Sequence, residues 1–161
     1  MKLEVRLMLS GKLVHLIEAH WDQIMASAID QVRREPGLAH IRTHYPLDSE
    51  DWPQVLLQNL GQWLLAGPNS EIAKKYEELG KFRFAEGVPL HESVQASFIL
   101  REKILDFVQD HLMDKNTLAL YAEEELDRRV GRFFDILTVH MVRGYEAALR
   151  ESLRQATLAA G

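Results

Sequence analysis

The chain has 161 residues, of which 47% are hydrophobic and 27% are charged, and these values predict one globular domain spanning residues 1–161. Because the chain contains no cysteine, disulfides, thiolate metal sites and a cysteine nucleophile are excluded. Its net charge is −5 and its basic residues cluster only in pairs, so it lacks the basic stripe typical of proteins that bind nucleic acid.

The N-terminal segment does not have the pattern of a secretory signal. Glu4 and Arg6 interrupt the apolar region that such a signal needs. No stretch of the chain approaches the run of about 18 apolar residues that is typical of a membrane span. We therefore expect a cytoplasmic protein that does not insert into a membrane.

Apolar residues recur at steps of three and four along the chain, and no segment alternates with a period of two. This pattern predicts an all-α fold. The first predicted helix ends near Pro36-Gly37, a pair that breaks helices. Its apolar face consists of Leu13, Leu16, Ile17, Trp21, Ile24, Ala28 and Val32.

Two shorter helices are predicted next. Ser49 is a suitable N-cap for the second helix, which ends at Gly67-Pro68. Asn69 or Ser70 caps the third helix, which stops at Gly87.

The last two predicted helices are longer. Pro89 lies in the first turn of the fourth helix. The negative charge of Glu92 in the same turn interacts favourably with the positive end of the helix dipole. Thr117 caps the fifth helix, which runs from Leu118 to about Leu158 and is therefore about 60 Å long. The inner face of the fourth helix is predicted to consist of Val94, Phe98, Arg101, Leu105, Val108 and Leu112.

These elements predict a bundle of about five helices with a long C-terminal helix. Since about 60 Å exceeds the diameter of a domain of this size, the end of that helix should project or pair. We therefore expect a homodimer formed through the C-terminal helix.

The segment 80–94 reads GKFRFAEGVPLHESV and is followed by Leu100-Arg101. Its pattern, Gly-x-x-Arg-x-x-x-Gly-x-Pro-Leu-x-Glu, resembles the RsbRD N-terminal domain family, the input half of co-antagonists of the stress-response kinase RsbT. Trp21, the pair Glu124 and Arg128, and the run Phe133-Phe134-Asp135 also resemble that family, so the similarity covers roughly residues 10 to 150.

The resemblance implies a helical bundle related in shape to the non-haem globin sensors, and a part in bacterial stress signalling. Members of the family are usually joined to an output domain that contacts regulators. In this chain the last predicted helix leaves no residues for a separate output domain.

Two features of the resembling segment bear on a site. Gly87 and Pro89 predict a tight corner between two helices, because glycine tolerates a positive φ and proline starts a helix with its φ already set. Arg101 falls on the predicted inner face, where a guanidinium needs a partner. Arg83 and Arg101 are therefore either structural, paired with a carboxylate or extending to water, or contacts for an anionic ligand. The candidate partners are Glu77, Glu124 and Asp127.

Several histidines are candidate ligands for a metal or a haem iron. His40 and His44 are four residues apart, as metal ligands on a helix often are, but Gly37 and Pro46 predict a loop there and no metal site. His140 faces the inside of the last helix, where it is either a hydrogen-bonded core residue or a ligand for a haem iron. The remaining histidines, His15, His20, His91 and His111, fall at polar or helix-end positions, where solvation, capping or pH-dependent pairing accounts for them.

The candidate ligand-binding residues are thus Arg83, Arg101 and His140, and no cofactor is predicted. The aromatic residues either fill the core or line a cavity for a small ligand. They are Trp21, Trp52, Trp63, Phe82, Phe84, Phe98, Phe133 and Phe134.

Catalytic patterns are missing from the sequence. It has no Gly-x-Ser-x-Gly, P-loop, dinucleotide or zincin motif, and the acidic run at 123–127 lacks the Glu-x-x-His spacing of a di-iron bundle. We therefore predict a signal-input domain, not an enzyme, that binds a regulatory protein partner and has room for a small-molecule ligand. The alternatives are a structural adaptor without a ligand and an enzyme with a non-standard site.

Overall fold

A computed structural model describes residues 3–43, 56–66, 71–111 and 116–161, and no strand occurs within these ranges. The prediction of an all-α fold is therefore confirmed. The helices are α1 (Leu3–Ala19), α2 (Trp21–Arg34), a 3₁₀ turn (Pro36–Leu38), α3 (Ala39–Arg42), α4 (Leu60–Ala66), α5 (Glu71–Ala85), α6 (Leu90–Asp110) and α7 (Thr117–Ala160).

The first predicted helix is divided into α1 and α2 at His20. There the backbone leaves the helical region, with φ of −119° and ψ of 27°. The prediction of one continuous helix from Leu13 to Val32 is wrong at this point. The apolar spacing conceals the break because both helices face the same core, and neither glycine nor proline marks it.

Helix α7 confirms the prediction of a long C-terminal helix. Its 44 residues extend about 66 Å at 1.5 Å per residue. All residues from 149 to 161 are exposed, so the end of the helix projects from the bundle as expected. The cap is Asn116 rather than Thr117, because the Asn116 side chain accepts a hydrogen bond from the Ala119 N–H at 2.8 Å. The predicted caps Ser49, Asn69 and Ser70 lie outside the described residues.

One hydrophobic core joins helices from both halves of the chain, and α7 runs through it. Each of six helices contributes at least one side chain that is almost completely buried: Ile17, Ile24, Leu60, Tyr76, Ile104 and Phe134. A second, smaller cluster consists of Val32, Leu38, Ile41 and Val88. This smaller cluster packs the segment after α2 against the segment before α6.

The inner face of α6 differs from the prediction. The buried residues are Glu92, Ser93, Leu100, Ile104, Phe107 and Val108, whereas Phe98 is 37% exposed. Of the predicted inner-face residues, Val108 is fully buried and Leu112 lies outside the described residues. The helix carries apolar residues on two adjacent faces, so the spacing of apolar residues did not identify which face is buried.

Helices α5 and α7 touch through their backbones at Gly80 and Gly144, a contact we call the glycine crossing. A Cβ added to Gly80 would overlap the carbonyl oxygen of Met141 and lie 2.8 Å from the Tyr145 nitrogen. A Cβ added to Gly144 would overlap the carbonyl oxygen of Glu77 and lie 2.9 Å from its Cα. Only glycine fits at either position without moving the helices apart.

The glycine crossing predicts an unequal response to two alanine substitutions in α7. Gly144→Ala should lower the free energy of unfolding by about 1–3 kcal/mol, because the added methyl group collides with rigid backbone. Gly131→Ala should raise it by up to about 1 kcal/mol, since nothing lies within 4 Å of its added Cβ and alanine favours a helix. Urea unfolding of both variants measures the difference; equal effects would contradict the close contact.

Candidate functional site

The segment that resembles the family forms a corner between α5 and α6, and α7 holds this corner in place. Gly87 has a φ of +74°, as predicted. Its N–H donates to the Phe84 carbonyl at 3.0 Å, and the Val88 N–H donates to the Arg83 carbonyl at 2.9 Å. These two bonds form the Schellman motif that ends a helix. Pro89 precedes α6 as its N-cap residue, one position before the predicted first turn.

A tyrosine of α7 contacts the corner on two sides. The Tyr145 hydroxyl donates to the Val88 carbonyl at 3.0 Å. The Tyr145 ring meets the Phe84 ring edge to face, with 5.4 Å between the centroids. Both backbone polar groups of the buried Val88 are therefore hydrogen-bonded, which a buried residue needs.

Of the candidate ligand-binding residues, Arg83 is the most buried, with 3% of its surface exposed. It lies in the last turn of α5, three residues after the glycine crossing. Its backbone carbonyl is part of the corner. The Arg83 side chain is therefore buried inside the bundle and is not on the surface that a ligand in solvent would meet.

Arg101 lies at the edge of α6 and is partly exposed. Its Nη1 is 3.3 Å from Asp135 Oδ1, and its guanidinium carbon is 4.8 Å from the centroid of the Phe98 ring. Asp135 replaces the predicted partners. Because the Asp135 side chain is 71% exposed, this pair contributes at most about 1 kcal/mol to stability.

The predicted partners of Arg101 have other neighbours. Glu124 Oε1 lies 3.5 Å from Arg128 Nη2. Partial burial raises the pKa of the Asp127 carboxyl, and the negative charges of Glu123 and Glu124 raise it further. These acidic side chains belong to the N-terminal part of α7, away from Arg101.

His140 bonds to α5 beside the glycine crossing. Its Nδ1 is 2.8 Å from Glu77 Oε2, and this ring is largely buried. A carboxylate can only accept, so Nδ1 carries the proton. His140 is thus hydrogen-bonded in the structure, and its role as a ligand-binding residue stays a prediction.

The two clefts formed by described residues contain none of the three candidate residues. One cleft of about 510 Å³ lies between α1, α4 and α7, and another of about 240 Å³ lies between α2 and α6. Neither includes Arg83, Arg101 or His140. A ligand-binding role for these residues stays a prediction.

The aromatic residues divide between core and surface. Phe133 and Phe134 are buried, and Trp21 and Trp63 pack against the core. Phe82 and Phe98 are each 37% exposed. Trp52 lies outside the described residues. Core filling therefore accounts for the inward-facing aromatic residues.

A buried carboxylate that the sequence analysis assigned only to the dipole of its own helix connects two distant segments. Glu92 is 2% exposed, and its Oε1 accepts from the His40 N–H at 3.0 Å and from the Ile41 N–H at 3.4 Å. Its Oε2 lies 2.8 Å from His40 Nδ1. Glu92 therefore caps α3, a task that a pattern within α6 could not reveal.

His40 itself lies in α3, so the prediction of a loop at this position is wrong. His44 lies outside the described residues. Within the ranges that the structure describes, no group of three or more His, Asp and Glu side chains is arranged to hold a metal ion.

Two of the histidines predicted to cap helices do so. The Nδ1 atoms of His20 and His111 lie 2.9 Å and 2.8 Å from the carbonyl oxygens of Leu16 and Phe107, each four residues earlier. Both rings also contact the Phe107 ring, with centroids at 5.4 Å and 4.0 Å. These contacts pack the end of α6 against the break between α1 and α2.

The Glu92 cap predicts a loss of stability on neutralisation. Glu92→Gln should lower the free energy of unfolding by about 1–3 kcal/mol, because the amide loses the charge that faces two backbone donors and places an NH2 group where Oε2 faces His40 Nδ1. Glu102→Gln is the matched control in the same helix, and its exposed side chain should leave stability unchanged within about 0.5 kcal/mol. Thermal unfolding of both variants checks this; equal values would refute the cap.

The family of the chain follows from comparison with known proteins. The model of the RsbT co-antagonist protein RsbRD N-terminal domain matches residues 22–159, which is most of the chain and includes the corner, the glycine crossing and Glu92. Searches of curated proteins and of solved structures gave no match. None of the described helices combines the length and apolar character needed to cross a bilayer. The chain belongs to the RsbT co-antagonist protein RsbRD N-terminal domain family.

Proposed function

We propose that this chain is a regulatory input domain that pairs as a homodimer through the end of α7 and uses that helix to act on a partner protein. Membership of a co-antagonist family supports a regulatory role in stress signalling. The bacterial cytoplasm, where such a kinase regulator would act, is the proposed setting. The observation that carries the proposal is the exposed apolar face on the projecting end of α7.

This face has the spacing of a coiled-coil seam. Leu149, Leu153, Ala156 and Ala160 follow one another at steps of four, three and four residues. Leu149 is 40% exposed and Leu153 is 59% exposed. Burial of each leucine against a second helix would contribute about 1.5–3 kcal/mol.

The opposite side of the same segment is polar. Arg154 Nε donates to Glu151 Oε2 at 3.0 Å, and the two side chains are about half exposed or more. An apolar face on one side of a helix and charged residues on the opposite side are typical of helices that pair in water. The end of α7 has both.

The contacts of α7 support its use as the output element. The same helix meets α5 at the glycine crossing and holds the corner through Tyr145, so a shift within the bundle would move the projecting end. A homodimer would carry such a shift to a bound regulator. The alternative, an adaptor without a signal of its own, uses the same face to bind a partner protein directly.

The proposal predicts that one charge on the seam separates the dimer. Leu153→Glu should convert the protein from dimer to monomer in sedimentation velocity, because two carboxylates would face each other in the seam. Gln155→Glu adds the same charge on the outer side and should leave the dimer intact. Circular dichroism should show unchanged helix content in both variants, since both positions are exposed.

A wild-type protein that sediments as a monomer, or a Leu153→Glu variant that stays dimeric, would contradict the dimer. A monomeric wild type that binds a regulator through the Leu149 and Leu153 face would support the adaptor instead.

A further inference from the structure

The larger cleft, of about 510 Å³, lies between α1, α4 and α7 and uses none of the residues assigned to the proposed function. We call it the Arg129 cleft. Its volume falls within the range of about 300–1,000 Å³ that is typical of small-molecule sites. Two of its lining residues, Gly11 and Gly61, carry no side chain that would fill it.

The walls of the Arg129 cleft are mostly apolar. Val14 of α1 and Leu64 of α4 provide hydrocarbon surface. Gly61 allows α4 to lie close to α1, because an added Cβ would be only 3.3 Å from Val14 Cγ1. These walls suit the hydrocarbon part of a ligand.

One cation at the cleft, Arg129, forms no ion pair with the part of the chain that the structure describes. Arg129 is partly buried, and among the described residues no carboxylate lies within ion-pair distance of it. Its neighbour Arg128 differs, since its guanidinium is 3.5 Å from Glu124 and 3.8 Å from Glu125. A guanidinium presents a planar fork of donors that matches a carboxylate in two hydrogen bonds, so Arg129 offers a carboxylate site.

Glu18 is the acidic side chain of the cleft, and it lies near His15, which lines the same cleft. Glu18 Oε1 lies 3.7 Å from His15 Nδ1, within α1. Arg129 is the guanidinium of this cleft, so an anionic ligand would place its head there rather than beside Glu18.

From these features we infer that the Arg129 cleft binds a small amphipathic carboxylate, whose anionic head pairs with Arg129 and whose hydrocarbon chain lies against Val14 and Leu64. The ligand would be the signal for the proposed input domain, so the biological meaning of the inference rests on that function. Binding itself does not require the dimer. Movement of Arg129 on binding would act on α7 directly, because the residue belongs to that helix.

Octanoate is the probe, and 1-octanol is its uncharged counterpart with the same hydrocarbon chain. Titration calorimetry of the full chain should give saturable binding of octanoate with a Kd on the order of 1 mM or tighter, which suits a ligand of this size. Arg129→Gln should weaken binding at least about tenfold, equivalent to about 1.4 kcal/mol. Arg129→Lys keeps the charge and should bind more tightly than Arg129→Gln.

Arg128→Gln is the matched control and should bind octanoate as the wild type does, because this side chain is exposed and faces Glu124 and Glu125. 1-Octanol should bind more weakly than octanoate. Equal affinity of the wild type and Arg129→Gln, equal affinity of octanoate and octanol, or no saturable binding would each overturn the inference. Sedimentation of the same samples separates the two proposals, since octanoate binding by a monomer would sustain the cleft and refute the dimer.

Discussion

The contact on which the arrangement of helices depends is the close approach of α5 and α7 at Gly80 and Gly144. With no side chain between them, the two backbones meet directly, and this fixes where α7 passes through the bundle. The hydrogen bond between His140 and Glu77 lies beside the contact, and Tyr145, the next residue after Gly144, reaches the corner. A helix longer than the bundle is thereby anchored near its middle, so its C-terminal part is free to project.

The segment 80–92, whose sequence pattern predicts only the end of one helix and the start of the next, makes a series of contacts with distant parts of the chain. Gly80 admits α7, Gly87 ends α5 with a positive φ, and Val88 enters the second hydrophobic cluster. Glu92 then caps α3 across more than fifty residues of sequence. The segment therefore joins the long helix to the region after α2.

Periodicity and helix breakers were sufficient to predict the all-α fold, the corner at Gly87 and the long last helix, because these depend on residues close in sequence. The break at His20 was missed because the apolar pattern continues across it. The predicted inner face of α6 was wrong because two adjacent faces of this helix are similarly apolar. The glycine crossing and the Glu92 cap were not found because each joins residues that are far apart in sequence. Arg129 was not singled out, because the sequence does not show that no carboxylate among the described residues lies within ion-pair distance of it.

The homodimer proposed through the end of α7, taken as a parallel pair of helices, is tested most directly by one distance between the two copies. Since the chain has no cysteine, a spin label at Gln155→Cys would be the only one on each copy. Helix axes at 8–10 Å and outward-facing labels place the two spins roughly 20 Å apart in a parallel pair. Electron paramagnetic resonance should show one narrow distance near this value. An uncoupled spectrum, or a distance more than twice as long, would contradict the account.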